Sequence, residues 1–308
     1  MLIDYNYTGC DISKLVLDIF DPQTSKLCRI DNELSSIKAF ADTLDAASFL
    51  VFEATGSHDR LLRQILSAAH IAYVRLNPMM VRRFAQARGK RAKTDRIDAR
   101  TLSEMGGMFK PDADRPFCDN RERLAALARR RDQLVDMRAI ELRHVSEAFD
   151  LLIAADIKAS IAELDQRIVS LEAVIEHQLK SADGLADHAA RLISAPGIGP
   201  VTALTLIAHM PELGHTSPKA IASLAGLAPY NNDSGKRQGK RSIRGGRPRV
   251  RKALYKAAHG AIRASDRFRS FYTAVAERSG SKKLAIIATA RKLLTVLNAM
   301  QRDNKNFV

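Results

Sequence analysis

The sequence predicts an α/β N-terminal domain, a helical connector and a mainly α C-terminal domain, and three observations carry that reading. Short alternating runs at residues 5–30 give way to alternating helical and extended periods up to about residue 110. Between Arg121 and Lys180 neither Gly nor Pro interrupts the chain. Beyond SADG the pattern is helical to about Met300, broken by a Gly- and Arg-rich stretch from Asn231 to Arg249. The expected boundaries are 1–115, 116–184 and 185–308.

The first domain begins with YNYTGCDI, LVLDIFD and KLCRI, separated by SK and PQTS, which read as three hairpin-connected strands. Asn32 is placed to cap a helix carrying Leu34, Ile37, Phe40, Ala41 and Leu44. SFLVFEATG is a buried strand ending in a turn, His58 to Ala69 a helix, and AYVRL another strand. Pro78 opens the next helix, and KPDADRP, with Pro111 and Pro116, ends the domain.

In the connector Ile161, Leu164, Ile168, Leu171, Ile175 and Leu179 form a coiled-coil seam. The preceding helix has a weaker stripe, Leu124, Leu127, Leu134 and Met137. These stripes fit an antiparallel hairpin turning near residues 154–160, or an oligomer contact.

Charge narrows the function. The 308 residues hold 49 Lys and Arg against 34 Asp and Glu, a net charge of +15 that favours a polyanionic partner, nucleic acid above all. No run approaches the ~18 apolar residues of a membrane span, and the start lacks a secretory signal, so the expectation is a cytosolic protein without a membrane partner. Cys10, Cys28 and Cys118 lack CxxC spacing, and the eight histidines lack HxxxH or HExxH spacing, which argues against a disulfide framework or a zinc site.

Four acids stand out. Asp11 ends the first strand, Glu53 ends the buried strand, and Asp95 and Asp98 share the first turn of a helix in KTDRIDAR. Strand ends of an open α/β sheet gather ligands, and acids at i and i+3 share a helical face. Converging carboxylates suit Mg²⁺ or Mn²⁺, and two such ions about 4 Å apart can activate an attacking oxygen and stabilise a leaving one at phosphorus. The competing account of DRID is a capping box that complements the helix dipole. Glu53 weighs against it, because an acid closing an apolar strand is costly unless paired or metal-bound. Arg82, Arg83, Arg88, Lys90, Arg91, Lys93, Arg96 and Arg100 surround this segment and would hold phosphates, or form a solvated basic face.

In the second half, LISAPGIGPVTALTLIAHM reads as helix, tight turn and helix, resembling a helix-hairpin-helix in which Gly197, Gly199 and the following helix N-terminus grip a phosphate. A plain αα-hairpin is the alternative. From Lys236 to Lys256 there are ten basic residues and no acid, among them Lys236, Arg237, Lys240, Arg241, Arg244, Arg247, Arg249 and Arg251. Ser234 sits in a DSG turn at the entrance, where amides and cations lower the cost of an alkoxide. Tyr230, Tyr255 and Ser242 are rival hydroxyls, and sequence chemistry does not choose among the four.

Taken in order, GCDISK, FEATG and KTDRIDA, then APGIGPVTALTLIA, SPKAIASLAGLAPY and SGKRQGKRSIRGGRPRVRKALYKAA, resemble the signatures of the insertion-sequence 110 family of DEDD transposases and the related Piv-type DNA invertases. The resemblance covers nearly the whole chain. It implies an RNase H-like (RuvC-like) first domain whose four acids bind divalent metal, and it implies Ser234 as the nucleophile that links covalently to DNA. It further implies an oligomer, a dimer or tetramer, acting on donor and target double-stranded DNA under an element-encoded guide (bridge) RNA, in association with a prokaryotic nucleoid. Cys10 departs from the aliphatic residue commoner beside the first Asp. The expectation is therefore an enzyme of DNA strand transfer. Its rivals are a RuvC-like structure-selective endonuclease and a non-catalytic nucleic-acid-binding protein.

Overall fold

Alternating apolar residues at 6–31 build a meander of three antiparallel strands, β1 (Asn6–Ile12), β2 (Val16–Asp21) and β3 (Lys26–Asp31). The computed structural model describes residues 5–54, 56–89, 95–181, 185–231, 239 and 241–308, with only the helical backbone described at 95–97. It divides into two units, Met1–Cys118 and Asp119–Val308.

In the first unit β4 (Ser48–Glu53) adds parallel to β1, and β5 (Ala72–Leu76) adds parallel to β4, giving the order β3-β2-β1-β4-β5. Parallel neighbours need helical crossovers, which α1 (Leu34–Ala41) and α2 (Arg60–Ala68) supply. Both pack on one face, where Ile37, Leu62 and Leu66 meet Cys10, Ile19, Leu50 and Phe52. The other face is covered by α3 (Pro78–Ala87) and α4 (Asp95–Phe109), with Val81, Leu102 and Met105 against Tyr7, Phe49 and Val51. Residue parity along each strand thus tells the two faces apart.

Local details differ from the sequence expectation. The N-cap of α1 is Glu33, because the Asn32 side-chain amide instead donates to the Ser13 carbonyl at 2.9 Å and the His58 carbonyl at 3.1 Å. Helix α2 starts at Arg60 rather than His58, behind Asp59, whose buried carboxylate pairs with Arg63 at 3.0 Å. The KPDADRP segment follows edge strand β5: the Asp114 amide donates to the Tyr73 carbonyl at 2.7 Å, and the Phe117 amide to Ser67 Oγ at 2.8 Å.

The second unit begins with a helical hairpin of α5 (Asp119–Glu147) and α6 (Leu151–Ser181), each about 45 Å long at 1.5 Å per residue. The turn falls at 148–150, not at 154–160. Asp150 decides this by capping α6, its Oδ1 accepting from the amides of Leu152 at 2.8 Å and Ile153 at 3.2 Å. Ile168, Ile175 and Leu179 of the seam are buried, and Arg131 pairs across with Glu172 at 2.6 Å. The hairpin base joins a core shared by α7 (Leu185–Ile193), α8 (Pro200–His209), α9 (Pro218–Leu224), α10 (Pro248–Ala264) and α12 (Lys282–Asp303). Between α11 (Asp266–Ser279) and α12, Gly280 takes φ +65°, which suits a residue without Cβ. The only strands among the described residues here are β6 (Pro229–Tyr230) and β7 (Ser242–Ile243), paired antiparallel. No helix of the described residues is long and apolar enough to cross a membrane.

Candidate active site

Strand register places the first two acids. Cys10 of β1 pairs with Phe52 of β4, so the next residues, Asp11 and Glu53, lie side by side at the carboxyl ends of adjacent parallel strands, about 4.8 Å apart in the backbone. By parity both belong to the face of Tyr7, Phe49 and Val51, the face that α4 covers. Cys10, between Gly9 and Asp11, points into the opposite core and is fully buried. Burial, reinforced by the Asp11 charge, pushes its thiol well above the usual range, so sulfur takes no part in the carboxylate edge.

Two glycines bring α4 onto that face. A Cβ on Gly9 would overlap the Ala99 carbonyl oxygen and lie 2.6 Å from Ser103 N; one on Gly106 would lie 2.7 Å from Val51 Cγ2. Gly106 thus sits over Tyr7 and Val51, and Ala99 and Ser103 over Gly9. The helix therefore runs opposite to β1, and its first turn, with Asp98, arrives at the strand ends that carry Asp11 and Glu53. Asp95 opens the helix one turn before Ala99, and its side chain lies outside the described residues. Register and packing bring three acids to one edge of the sheet. Among the described residues, no group of three or more His, Cys, Asp and Glu is drawn tightly enough to hold a metal ion. The donor set itself is all oxygen, which fits a hard cation of the Mg²⁺ or Mn²⁺ kind.

Sequence reasoning missed Asp18. It pairs with Asp11 in the β1–β2 register, is 6% exposed, and is gripped in a fork by Arg29, Nε to Oδ1 at 3.0 Å and Nη2 to Oδ2 at 2.9 Å. The guanidinium balances a second negative charge beside the site. An acid in the middle of the apolar run VLDIFD was the available signal.

The basic residues behave unevenly. Arg88 reaches Glu104 at 3.4 Å, while Arg100 lies over the Phe20 ring at 4.8 Å. Lys90, Arg91 and Lys93 lie outside the described residues, as do Ser234, Lys236, Arg237 and Lys240. Arg244 is stacked over Tyr230 at 5.2 Å, and Arg241 is exposed. Arg247 forks onto Glu212 at 2.7 Å and donates to the His209 carbonyl at 2.8 Å. Arg249 bonds Asp132 at 3.0 Å and His209 Nε2 at 3.3 Å. A guanidinium only donates, so that imidazole nitrogen accepts and the ring is neutral. Burial, helped by Arg249, Arg129 and Arg247, lowers the His209 pKa to about 4. Arg251 donates to the Gly245 carbonyl at 2.7 Å, tying the glycine turn before α10.

The GIG turn joins α7 to α8. Gly197, at φ +80°, is pressed onto α10: a Cβ there would lie 2.4 Å from Ala261 N, and one on Gly260 would lie 2.8 Å from Gly197 Cα. Gly199 is exposed as the N-cap of α8. Of the rival hydroxyls, Tyr230 shares a hydrogen bond with Ser223 Oγ at 2.8 Å, Tyr255 packs against the core beside His259, and Ser242 is exposed on β7.

Comparison with known proteins bears on both units. A transposase family model of the DEDD type from IS110 elements matches residues 9–153, and the model described as "Transposase IS116/IS110/IS902 family" matches residues 189–273. The chain is 29% identical to a pilin gene-inverting protein of Moraxella bovis, over 98% of this chain and 97% of the relative. It is 34% identical to an IS110 insertion-element protein of Streptomyces coelicolor, over 36% of this chain and 28% of that protein. An IS116 insertion-element protein of Streptomyces clavuligerus is 31% identical over 50% of this chain and 38% of its own length. With the strand order of an RNase H-like sheet in the first unit, a helical second unit, and family matches to both in sequence order, the chain belongs to the IS110/IS116/IS900 family of DEDD transposases, enzymes of the transposase and recombinase class.

Proposed function

We propose that this enzyme cuts and rejoins DNA through a phosphoserine ester, with Asp11, Glu53, Asp95 and Asp98 as the metal-binding acids and Ser234 as the nucleophile. One observation carries the first half: the Cys10–Phe52 register sets Asp11 beside Glu53 on the face where Gly9 admits the start of α4. A divalent ion held by these acids, Mg²⁺ or Mn²⁺, supplies positive charge to the scissile phosphate and its leaving oxygen.

The rest is done by the chain's own groups. Arg88, Lys90, Arg91 and Lys93, which precede Asp95 in the sequence, and Lys236, Arg237, Lys240, Arg241 and Arg244 of the second unit hold the DNA backbone. Gly199 offers the free amides of the α8 N-terminus to a phosphate, and Gly197 shapes that turn. Arg247, Arg249 and Arg251 add positive potential while bracing the start of α10 against Glu212, Asp132 and Gly245. Ser234 Oγ attacks phosphorus and gives up its proton, while the P–O bond to the sugar breaks and the departing oxygen takes a proton. Reversal of that exchange reseals the strand without an external energy source.

The substrate is double-stranded donor and target DNA. The name of the Moraxella relative describes inversion of a gene, which needs the same cut and rejoining chemistry within one molecule. Selection of sites by a bridge RNA, action in the cytoplasm on nucleoid DNA, and a working division at 1–115, 116–184 and 185–308 complete the proposal. A dimer or tetramer is favoured by the apolar hairpin tip, where Phe149 is 97% and Leu151 88% exposed.

The test is a trapped adduct. Asp11→Asn abolishes Mg²⁺-dependent cleavage of DNA, and Ser234→Ala abolishes the covalent protein–DNA species. Cleavage without any adduct would instead identify a nuclease that uses water.

A further inference from the structure

The second unit holds a groove of about 990 Å³ of which recombination as proposed uses only Arg241, at the rim. One wall is a face of α12, where Leu284, Ile287, Ala288, Arg291 and Thr295 recur at helical spacing over about 16 Å. Ile243 of β7 and Phe271 of α11 form the other side. The floor is apolar, yet the rim carries Arg241, Arg278, Lys283, Arg291 and Lys292, and among the described residues no acid lines the groove. Among the described residues none of these five cations has a carboxylate partner; Lys292 instead lies over the Phe271 ring, 4.2 Å from its centroid.

This pairing of surfaces selects its occupant. Five cations without an acid ask for a polyanion, whereas an apolar floor has nothing to offer a phosphate. Duplex DNA turns its phosphates outward and hides the faces of its bases, so it would leave the floor unused. A single strand presents phosphates and flat apolar bases together. The ring of Phe271, already covered by a cation, is a planar surface of the kind on which a base stacks. We propose that this groove binds a single-stranded stretch of nucleic acid, its bases against Phe271, Leu284 and Ile287 and its phosphates on Arg278, Lys283, Arg291 and Lys292.

Binding of labelled 12-nucleotide single strands, as DNA and as RNA, and of a 20-base-pair duplex tests this, with full-length Ser234→Ala protein so that no covalent product interferes. In that background the triple change Lys283→Gln, Arg291→Gln, Lys292→Gln lowers single-strand affinity about tenfold or more and reduces its salt slope by about 2, at about 0.7 per phosphate. Duplex affinity changes less than about twofold. Phe271→Leu keeps the apolar bulk but removes the ring, and lowers single-strand affinity about fivefold with the slope unchanged. A difference between the DNA and RNA strands shows which of the two the groove prefers. Equal losses on duplex and single strand would reduce the groove to part of a diffuse basic surface and overturn the proposal. So would undiminished single-strand binding, with or without a loss in binding of an acidic peptide. The readout is binding rather than cleavage, so its failure leaves the Ser234 assignment standing, and the reverse holds too.

Discussion

Replacing Gly9 by Ala tests how α4 is held over the strand ends. The added Cβ would lie 2.6 Å from Ser103 N, against 3.4 Å for an ordinary contact, and closer still to the Ala99 carbonyl oxygen. Both are backbone atoms in mid-helix and cannot rotate away, so α4 must retreat by about 0.8 Å at Ser103 and further at Ala99. Overpacking of this kind costs about 1–3 kcal/mol. The larger effect falls on the site, because the same retreat draws the start of α4 away from Asp11 and Glu53. A misplacement near 1 Å costs on the order of 10²-fold in rate. The expected result is a folded protein, less stable by about 1–3 kcal/mol in urea melts, whose Mg²⁺-dependent DNA cleavage at full occupancy falls about 100-fold. Gly107→Ala is the control: it lies next to Gly106 on the same helix but meets nothing within 4 Å, so it leaves cleavage intact and stabilises the helix by about 0.5–1 kcal/mol. Full cleavage activity in folded Gly9→Ala protein would refute the dependence of the acid edge on this contact.

Two further perturbations have signs fixed by the structure. His209 is held neutral with its pKa lowered to about 4, against about 6.5 in the unfolded chain. As pH falls from 6.5 towards 4 the unfolded state takes up a proton that the native state refuses, so stability drops by about 2–3 kcal/mol. His188 is shifted the same way by its own burial and by Arg191, so it adds to the slope. In denaturant melts at several pH values, His209→Gln shows a shallower loss over this range, and a slope equal to that of the parent would show that the ring is not the group responsible. At the hairpin tip, Phe149→Ser with Leu152→Ser removes side chains that are 97% and 80% exposed, so melting is unchanged while sedimentation shows a smaller species. An unaltered association state would place the oligomer contact elsewhere.

The sequence was most informative where residues act through neighbours close in the chain. Alternation marked the first three strands of the first unit and short apolar runs the other two, and the ends of two of the five carried Asp11 and Glu53. Their adjacency needed register, because the Cys10–Phe52 pair joins residues 42 apart in number. Gly9 looked unremarkable in YNYTGCDI, since its meaning lies in a helix almost a hundred residues later. The hairpin turn was misplaced for a local reason: no Gly or Pro marks residues 148–150, and only the Asp150 cap does. The arginines after Gly245 read as one basic run, yet two of them are braced by acids elsewhere in the unit, Arg247 by Glu212 in the turn after α8 and Arg249 by Asp132 of α5. Composition counts charge but does not reveal which charges are already paired.

The most direct test of the proposed chemistry is to trap the protein on cleaved DNA with Mg²⁺ and to identify the modified residue by peptide mass spectrometry. The expected result is a phosphoserine adduct at Ser234 that forms in the parent protein and is lost in Ser234→Ala and in Asp11→Asn. An adduct on Tyr230, Tyr255 or Ser242, or one that forms at the parent rate in Asp11→Asn, would contradict it.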